Sequence, residues 1–246
     1  MLRSRIIPIL LMQDGGLVKT RQFGDPKYVG DPMNAVKIFN EKAVDELSIY
    51  DIDASVAGRG PDFDHLRSIA VESRMPLCYG GGVRSADDAV RLIKSGFEKV
   101  SVSAAAIERP ALIGELADAV GRQSVVVTMD VKKAGLLGRL GMFTHNGKRA
   151  AKAKLAEFLP EAEALGAGEI VINHIDRDGM MQGYDLDLAR TVRNSVSVPM
   201  TMVGGAGSTD HMRDLIAAIG TCGAAAGSMF VFNGIYRAVL ISYARP

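Results

Sequence analysis

The chain has no tryptophan, only two cysteines, 6% aromatic residues and a formal net charge of +1 over 246 residues. Each shortage removes a class of protein. Two thiols cannot staple a secreted scaffold, and Cys78 and Cys222 each sit inside an apolar run. They read as buried thiols of a reducing, cytoplasmic compartment rather than as a disulfide. Lysine and arginine number 29 against 28 acidic residues, so no field draws the chain to nucleic acid or an anionic membrane. No apolar run reaches the ~18 residues of a membrane helix. Residues 1–8 (MLRSRIIP) carry two arginines but no long apolar core, which argues against a secretory signal. The four histidines, His65, His145, His174 and His211, stand at no metal-ligand spacing, so neither a metal nor another cofactor is expected. His174 ends a strand-like run and is the one placed to reach a site; the others read as surface residues.

What is present is apolar residues (48%) and glycine (27), the glycines clustering after apolar runs. Runs of strand character fall at 6–12, 46–52, 76–79, 99–103, 124–130, 169–174, 199–203 and 222–226. Helical patterns lie between them, over 31–42, 62–73, from Ser85, and over 110–121, 152–165 and 185–195, with another beginning at Ser208. Asp31-Pro32 starts one helix, because Asp caps and Pro is tolerated at the first helical position. The polar stretch 19–31, with Gly24, Asp25 and Pro26, is expected to be a mobile loop. His145-Asn-Gly147 suggests a small hairpin turn within 138–148. Eight strand-helix alternations in one chain of this length predict a parallel (β/α)8 barrel forming a single domain over 1–246. The glycine fingerprint of a dinucleotide-binding sheet is missing after the first strand.

The chain also repeats. Gly80-Gly81-Gly82 and Gly204-Gly205 end strands about half a chain apart, as do the acidic motifs at 49–53 and 173–178. The halves read as duplicated half-barrels. The first and fifth strands then correspond, which pairs the region of Leu11 with Asp130, the carboxylate expected to end the fifth strand. Asp130 reads as a general acid or base at the barrel mouth, against the alternative of a loop-capping carboxylate. Gly204-Gly205 and Gly227-Ser228 follow strands seven and eight, where barrels often bind phosphate; tight turns are the competing explanation. Duplication extends the same reading to Gly81 and Gly82, and so to a ligand with phosphates at both ends. Lys19 is a candidate clamp for an anionic substrate on a closing loop, or a solvated lysine. Asp51, Ser103 and Asp178 also end strands, and Asp178-Gly179 either meets substrate hydroxyls or forms a turn.

Arg5, Glu46, Lys99 and Glu169 sit at the opposite, amino-terminal ends of strands one, two, four and six. Charges at that face ordinarily serve stability. Four alternating charges also suit a closed ion-pair plug, and the residues alone do not choose between the two.

Together these motifs, with Asp14-Gly15, Gly30-Asp31-Pro32, Asp45-Glu46-Leu47, residues 51–55 (DIDAS), 175–179 (IDRDG) and Gly183-Tyr-Asp185, resemble the cyclase subunit of imidazole glycerol phosphate synthase, a barrel that partners a glutaminase in histidine biosynthesis. The resemblance covers nearly the whole chain. It implies phosphate sites at the glycines above and a charged ammonia gate at Arg5, Glu46, Lys99 and Glu169. It implies a glutaminase docked at the amino-terminal face, forming a heterodimer, with Glu98 standing where the family has Asp beside the gate lysine. The carboxyl-terminal face departs from the pattern. The family uses two catalytic aspartates; Asp130 fills one place and Leu11 the other. Ser103 replaces an Asn and Val203 a Ser, and the tail 232–243 (FNGIYRAVLISY) replaces a charged terminal helix. These departures resemble the acetamidino-modification branch of bacterial surface-polysaccharide clusters. That resemblance implies a lyase- or amidotransferase-type subunit passing ammonia from a glutaminase toward an ATP-dependent sugar amidotransferase. The acceptor would be a phosphorylated small molecule or a nucleotide sugar, for lipopolysaccharide synthesis. A histidine-pathway cyclase is the alternative.

Overall fold

The structure, a computed structural model, describes residues 3–135 and 138–246; Met1 and Leu2 of the amino-terminal stretch lie outside them. In chain order the strands are β1 (Arg5–Gln13), β2 (Gly16–Arg21), β3 (Gly24–Gly30), β4 (Leu47–Asp51), β5 (Leu77–Gly80), β6 (Lys99–Val102), β7 (Val125–Ala134), β8 (Arg139–Thr144), β9 (Arg149–Ala150), β10 (Glu169–His174), β11 (Met200–Val203), β12 (Gly223–Ala226), β13 (Phe232–Asn233) and β14 (Ala238–Val239). The helices are α1 (Pro32–Glu41), α2 (Phe63–Glu72), α3 (Ala86–Lys94), α4 (Ala104–Glu108), α5 (Ala111–Val120), α6 (Leu155–Leu165), α7 (Leu186–Ser195), α8 (Thr209–Ile219) and α9 (Ser228–Val231). Their starts are set locally. Asp31, Asp62, Asp185 and Ser208 each accept a backbone N–H at a helix N-terminus, and Ser85 and Asp88 form a reciprocal capping box.

Eight strands pair in parallel in the order β1, β4, β5, β6, β7, β10, β11, β12, and β12 returns to β1. The sheet therefore closes into the expected (β/α)8 barrel. Alternate strand residues have opposite fates. Ile6, Leu10, Leu47, Ile49, Leu77, Tyr79, Val100, Val125, Val127, Ile170, Ile172, Met200 and Met202 face outward and join the helices in one large apolar cluster. The inward positions make only small clusters, one around Ile7, Ile9 and Ala225, the other around Cys78, Val126 and Val171. Polar groups fill the rest of the lumen. Both cysteines are buried and free.

Two expectations are corrected. The stretch 19–31 is not a mobile loop but the hairpin β2–β3, whose first strand pairs with the carboxyl end of β1. Its polar composition hid a pairing supplied by distant residues. The fifth barrel strand does not stop at Asp130; it runs on to Ala134 and turns into the antiparallel β8. Barrel pairing with β10 nevertheless ends just past Asp130, at Val131. The small hairpin is present as β8–β9, turning through His145 and Asn146 at positive φ.

After β12 the eighth helix is a single turn, α9. The tail instead makes the β13–β14 ribbon and descends to the amino-terminal face. There the Tyr243 hydroxyl donates to the Ile6 carbonyl (3.1 Å) and lies 3.3 Å from Asp45 Oδ2, with its ring against Phe230. Asp45 also accepts from the Ile6 N–H and binds Arg3 and Arg245. The tail is thus tied beside Glu46. Tyr243→Phe keeps the ring contact and removes the hydroxyl, and should cost about 1 kcal/mol, lowering Tm by about 2–4 °C. Thermal unfolding should show Arg245→Ala, which removes a half-exposed arginine while Asp45 keeps its other donors, to be nearly neutral. Equal effects of the two would contradict this account.

Candidate functional site

A pocket of about 170 Å³ opens at the carboxyl-terminal ends of the barrel strands. Lys19, Asp51, Gly81, Gly82, Ser103, Asp130, Asp178, Gly179, Gly204, Gly205, Gly227 and Ser228 all line it. The residues singled out for the mouth of the barrel therefore converge on one cavity.

Lys19 is neither on a loop nor solvated. It points inward from β2, 4% exposed, and its Nζ donates to the Ile9 carbonyl. Burial lowers its pKa to about 8, against an opposing pull from Asp178. The amine passes so close to Gly227 that a Cβ there would lie 3.0 Å from Nζ. Glycine at that position gives the lysine its place beside the start of α9. Asp178 accepts from the Thr20 hydroxyl (2.6 Å) and from the Phe23 N–H (3.3 Å). It latches the β2–β3 hairpin over the mouth, helped by the Gln22 N–H donating to the Asp178 carbonyl (3.0 Å). Burial raises its pKa, against the hydrogen bonds and Lys19. Asp51 Oδ1 is occupied by the N–H groups of Asp53 and Ala54 (3.0 Å each), so this carboxylate shapes its own turn.

Asp130 accepts from the Asn173 amide (3.0 Å). Burial pushes its pKa up to about 7, Asn173 opposes the shift, and Asp178 adds to it. A carboxyl group poised near neutrality can donate or accept a proton at physiological pH. The Asn173 Oδ1 has no partner and is buried at the pocket wall, a free acceptor for a ligand. Leu11 occupies the matching place in the first half: it pairs with Tyr50 on the next strand as Asp130 pairs with Asn173. Its side chain packs in the lumen with Ile7, Ile9 and Tyr50. Ser103 precedes α4, and Val203 lines the pocket without a polar atom.

Two histidines exchange roles. His174 faces outward, 2% exposed, with its ring nitrogens 3.4 Å from Asp185 and 3.6 Å from Asp176; it does not reach the pocket. His145, expected at the surface, lines the pocket beside Asn146, whose amide donates to the Ile52 carbonyl (2.8 Å). The alternation of β10 carried the signal: with Glu169 inward, Asn173 is inward and His174 outward. Among the described residues no cluster of three or more His, Cys, Asp or Glu could hold a metal ion. No described helix is long and apolar enough to cross a membrane.

At the other end of the lumen the four predicted charges do meet. Lys99 Nζ lies 2.8 Å from both Glu46 Oε2 and Glu169 Oε2. Arg5 binds Glu169 Oε1 at 2.7 Å and also contacts Glu46. Thr201 donates to Glu169 (2.6 Å). Burial alone would raise the pKa of Glu169, but Arg5 and Lys99 outweigh it and hold the carboxyl well below its ordinary range. The same pairing raises Lys99 despite its burial. Glu98 is exposed just outside the ring, at the foot of β6.

The class of protein these residues define is a parallel (β/α)8 barrel with a closed ring of charge at one end of its lumen and a partly acidic pocket at the other. The chain belongs to the histidine biosynthesis protein family, whose model matches residues 5–236. It is 53% identical over 246 residues to a provisionally named imidazole glycerol phosphate synthase subunit of Vibrio vulnificus, covering 100% of this chain and 95% of that one. A provisionally named synthase subunit of Leptospira borgpetersenii is 50% identical over 243 residues, 99% of this chain and 96% of the relative. The HisF subunit of imidazole glycerol phosphate synthase from Geobacillus thermodenitrificans is 38% identical over 233 residues, 95% and 92% of the two chains. The chain is thus a cyclase-like barrel subunit of this enzyme family.

The raised pKa of Asp130 fixes a sign. The folded state holds its proton between pH 3.8 and about 7, so this group subtracts stability as pH climbs through that window. Asp130→Asn should therefore match wild type near pH 4 and exceed it by about 2–4 kcal/mol above pH 7 in denaturant titrations. A pH-independent difference would contradict the assignment.

Proposed function

We propose that this protein is the ammonia-channelling barrel of a glutamine-dependent amidotransferase, acting in acetamidino-sugar formation for lipopolysaccharide or a related surface glycan. The observation that carries the reading is an asymmetry. The charged ring at the amino-terminal end is complete, whereas the carboxyl-terminal mouth has Asp130 on one side and Leu11 on the other. Ring closure in a cyclase needs acid-base work on both sides of the new ring, and leucine moves no proton.

In this reading a glutaminase docks at the amino-terminal face, against Glu98 and the ring of Arg5, Glu46, Lys99 and Glu169. Glutamine and water yield glutamate and ammonia there, and the ring admits the ammonia to the lumen. An ATP-dependent amidotransferase activates the acetamido oxygen of the sugar as a phosphate leaving group. Ammonia nitrogen displaces it and an amidine remains. Gly81, Gly82, Gly204, Gly205, Gly227 and Ser228, with Lys19, hold the phosphates of a phosphorylated or nucleotide-linked acceptor at the mouth. Ser103 and the turn at Gly179 line the acceptor's place, and Asp130 supplies or removes a proton there.

A second reading, a histidine-pathway cyclase, draws on the retained Asp130 and the identity to the Geobacillus subunit. Supplying ammonia and the bis-phosphorylated histidine precursor separates the two. We expect formation of imidazole glycerol phosphate at least about 10²-fold slower than by the Geobacillus subunit, the usual value of one acid-base group. Turnover equal to that subunit would overturn the proposal.

A further inference from the structure

Between the ring and the mouth lies a second, smaller cavity of about 10 Å³, room for one molecule the size of water or ammonia. Glu46 and Glu169 form its floor, and Ser48, Cys78 and Thr201 line its walls. Ile9, Tyr50 and Val171 face both this cavity and the large pocket above. They form a collar between the two, and Tyr50 carries the collar's one polar side-chain group. Its phenol faces the hydroxyls of Ser101 and Thr128, which are themselves 2.7 Å apart and open to the upper pocket. Its ring packs against Gly80, where a Cβ would come 2.7 Å from Cδ1 and 2.8 Å from Cε1. Glycine there leaves the space the ring occupies between the two cavities.

We propose that Tyr50 is the inner valve of the barrel: its ring separates a one-molecule ammonia chamber from the mouth, and its hydroxyl passes ammonia on to Ser101 and Thr128. This rests on the channelling reading above. The chemistry between the ring and Asp130 suits neutral ammonia. Serine, threonine and tyrosine hydroxyls both donate and accept. The chamber's carboxylates are already paired with Arg5 and Lys99 and leave no free anion to trap ammonium. Burial pushes the phenol well above its ordinary pKa, so it stays an uncharged donor. A phenol can donate to the lone pair of ammonia on one side while Ser101 or Thr128 accepts an N–H on the other. No bond to nitrogen is made or broken in transit. Tyr50 acts here as a positioning residue rather than a catalytic one.

The test uses the complete complex with its glutaminase and amidotransferase. It compares amidine formation driven by glutamine with formation driven by added ammonium, which enters from the mouth. Tyr50→Phe keeps the ring and its packing on Gly80. It should lower the ratio of glutamine-driven to ammonium-driven rate about fivefold, the value of one hydrogen bond. Tyr50→Trp fills the collar and should lower the ratio tenfold or more, with ammonia escaping to solvent as glutamine is hydrolysed (about 1.4 kcal/mol or more). Lys99→Met, at the ring, is the reference. If Lys99→Met lowers the ratio and both Tyr50 variants keep the wild-type value, the valve is wrong and channelling stands. If none of the three changes it, channelling itself fails.

Discussion

Glu169 is the group on which the lower end of the barrel depends. It is 4% exposed, as is Glu46, and a carboxylate so placed is costly unless paired and hydrogen-bonded. Arg5, Lys99 and Thr201 meet those demands from three other strands. Removing Arg5 or Lys99 leaves carboxylate charge buried without full compensation, which is why Arg5, Glu46, Lys99 and Glu169 behave as one object. Two cations and two anions also cancel, so the lumen above the ring faces no net charge from below. The Asp45 hub beside it, which binds the amino-terminal strand and the carboxyl-terminal tail together, braces the same end.

From this base the lumen changes character by layers. Inward residues sit two apart, so Glu46, Ser48 and Tyr50 climb the lumen on one strand, Lys99 and Ser101 on another, Glu169, Val171 and Asn173 on a third, and Thr128 and Asp130 on a fourth. Charge gives way to hydroxyls and then to a carboxyl near neutrality, while the outward residues on the same strands are almost wholly apolar. The β2–β3 hairpin then covers the mouth, held by Asp178 and carrying Lys19 into it. The acid-base asymmetry at the top, Leu11 against Asp130, is written on the same register: the two residues occupy equivalent places in the two half-barrels.

Much of this could be read from local signals. Apolar β-branched runs mark the barrel strands, Asp and Ser caps mark the helices, and the glycines mark the turns that reach the pocket. The charged ring was visible because its members open their strands. What escaped was set by distant partners. The 19–31 stretch is polar and rich in turn formers, and only the edge of β1 and the carboxylate of Asp178 make it a hairpin. Lys19 is buried because Ile9 on β1 and Gly227, just past β12, leave it a place. His174 failed on parity alone, an error of one residue that the inward Glu169 already contradicted. His145 enters through a hairpin tip whose direction no local pattern fixes.

The central claim is that nitrogen travels inside this barrel. Supplying the complete complex with amide-¹⁵N glutamine in the presence of a large excess of unlabelled ammonium tests it most directly. The account predicts that the product nitrogen remains mostly ¹⁵N while the surrounding ammonium is almost wholly unlabelled. A product whose isotope content simply follows that of the bulk ammonium would contradict it.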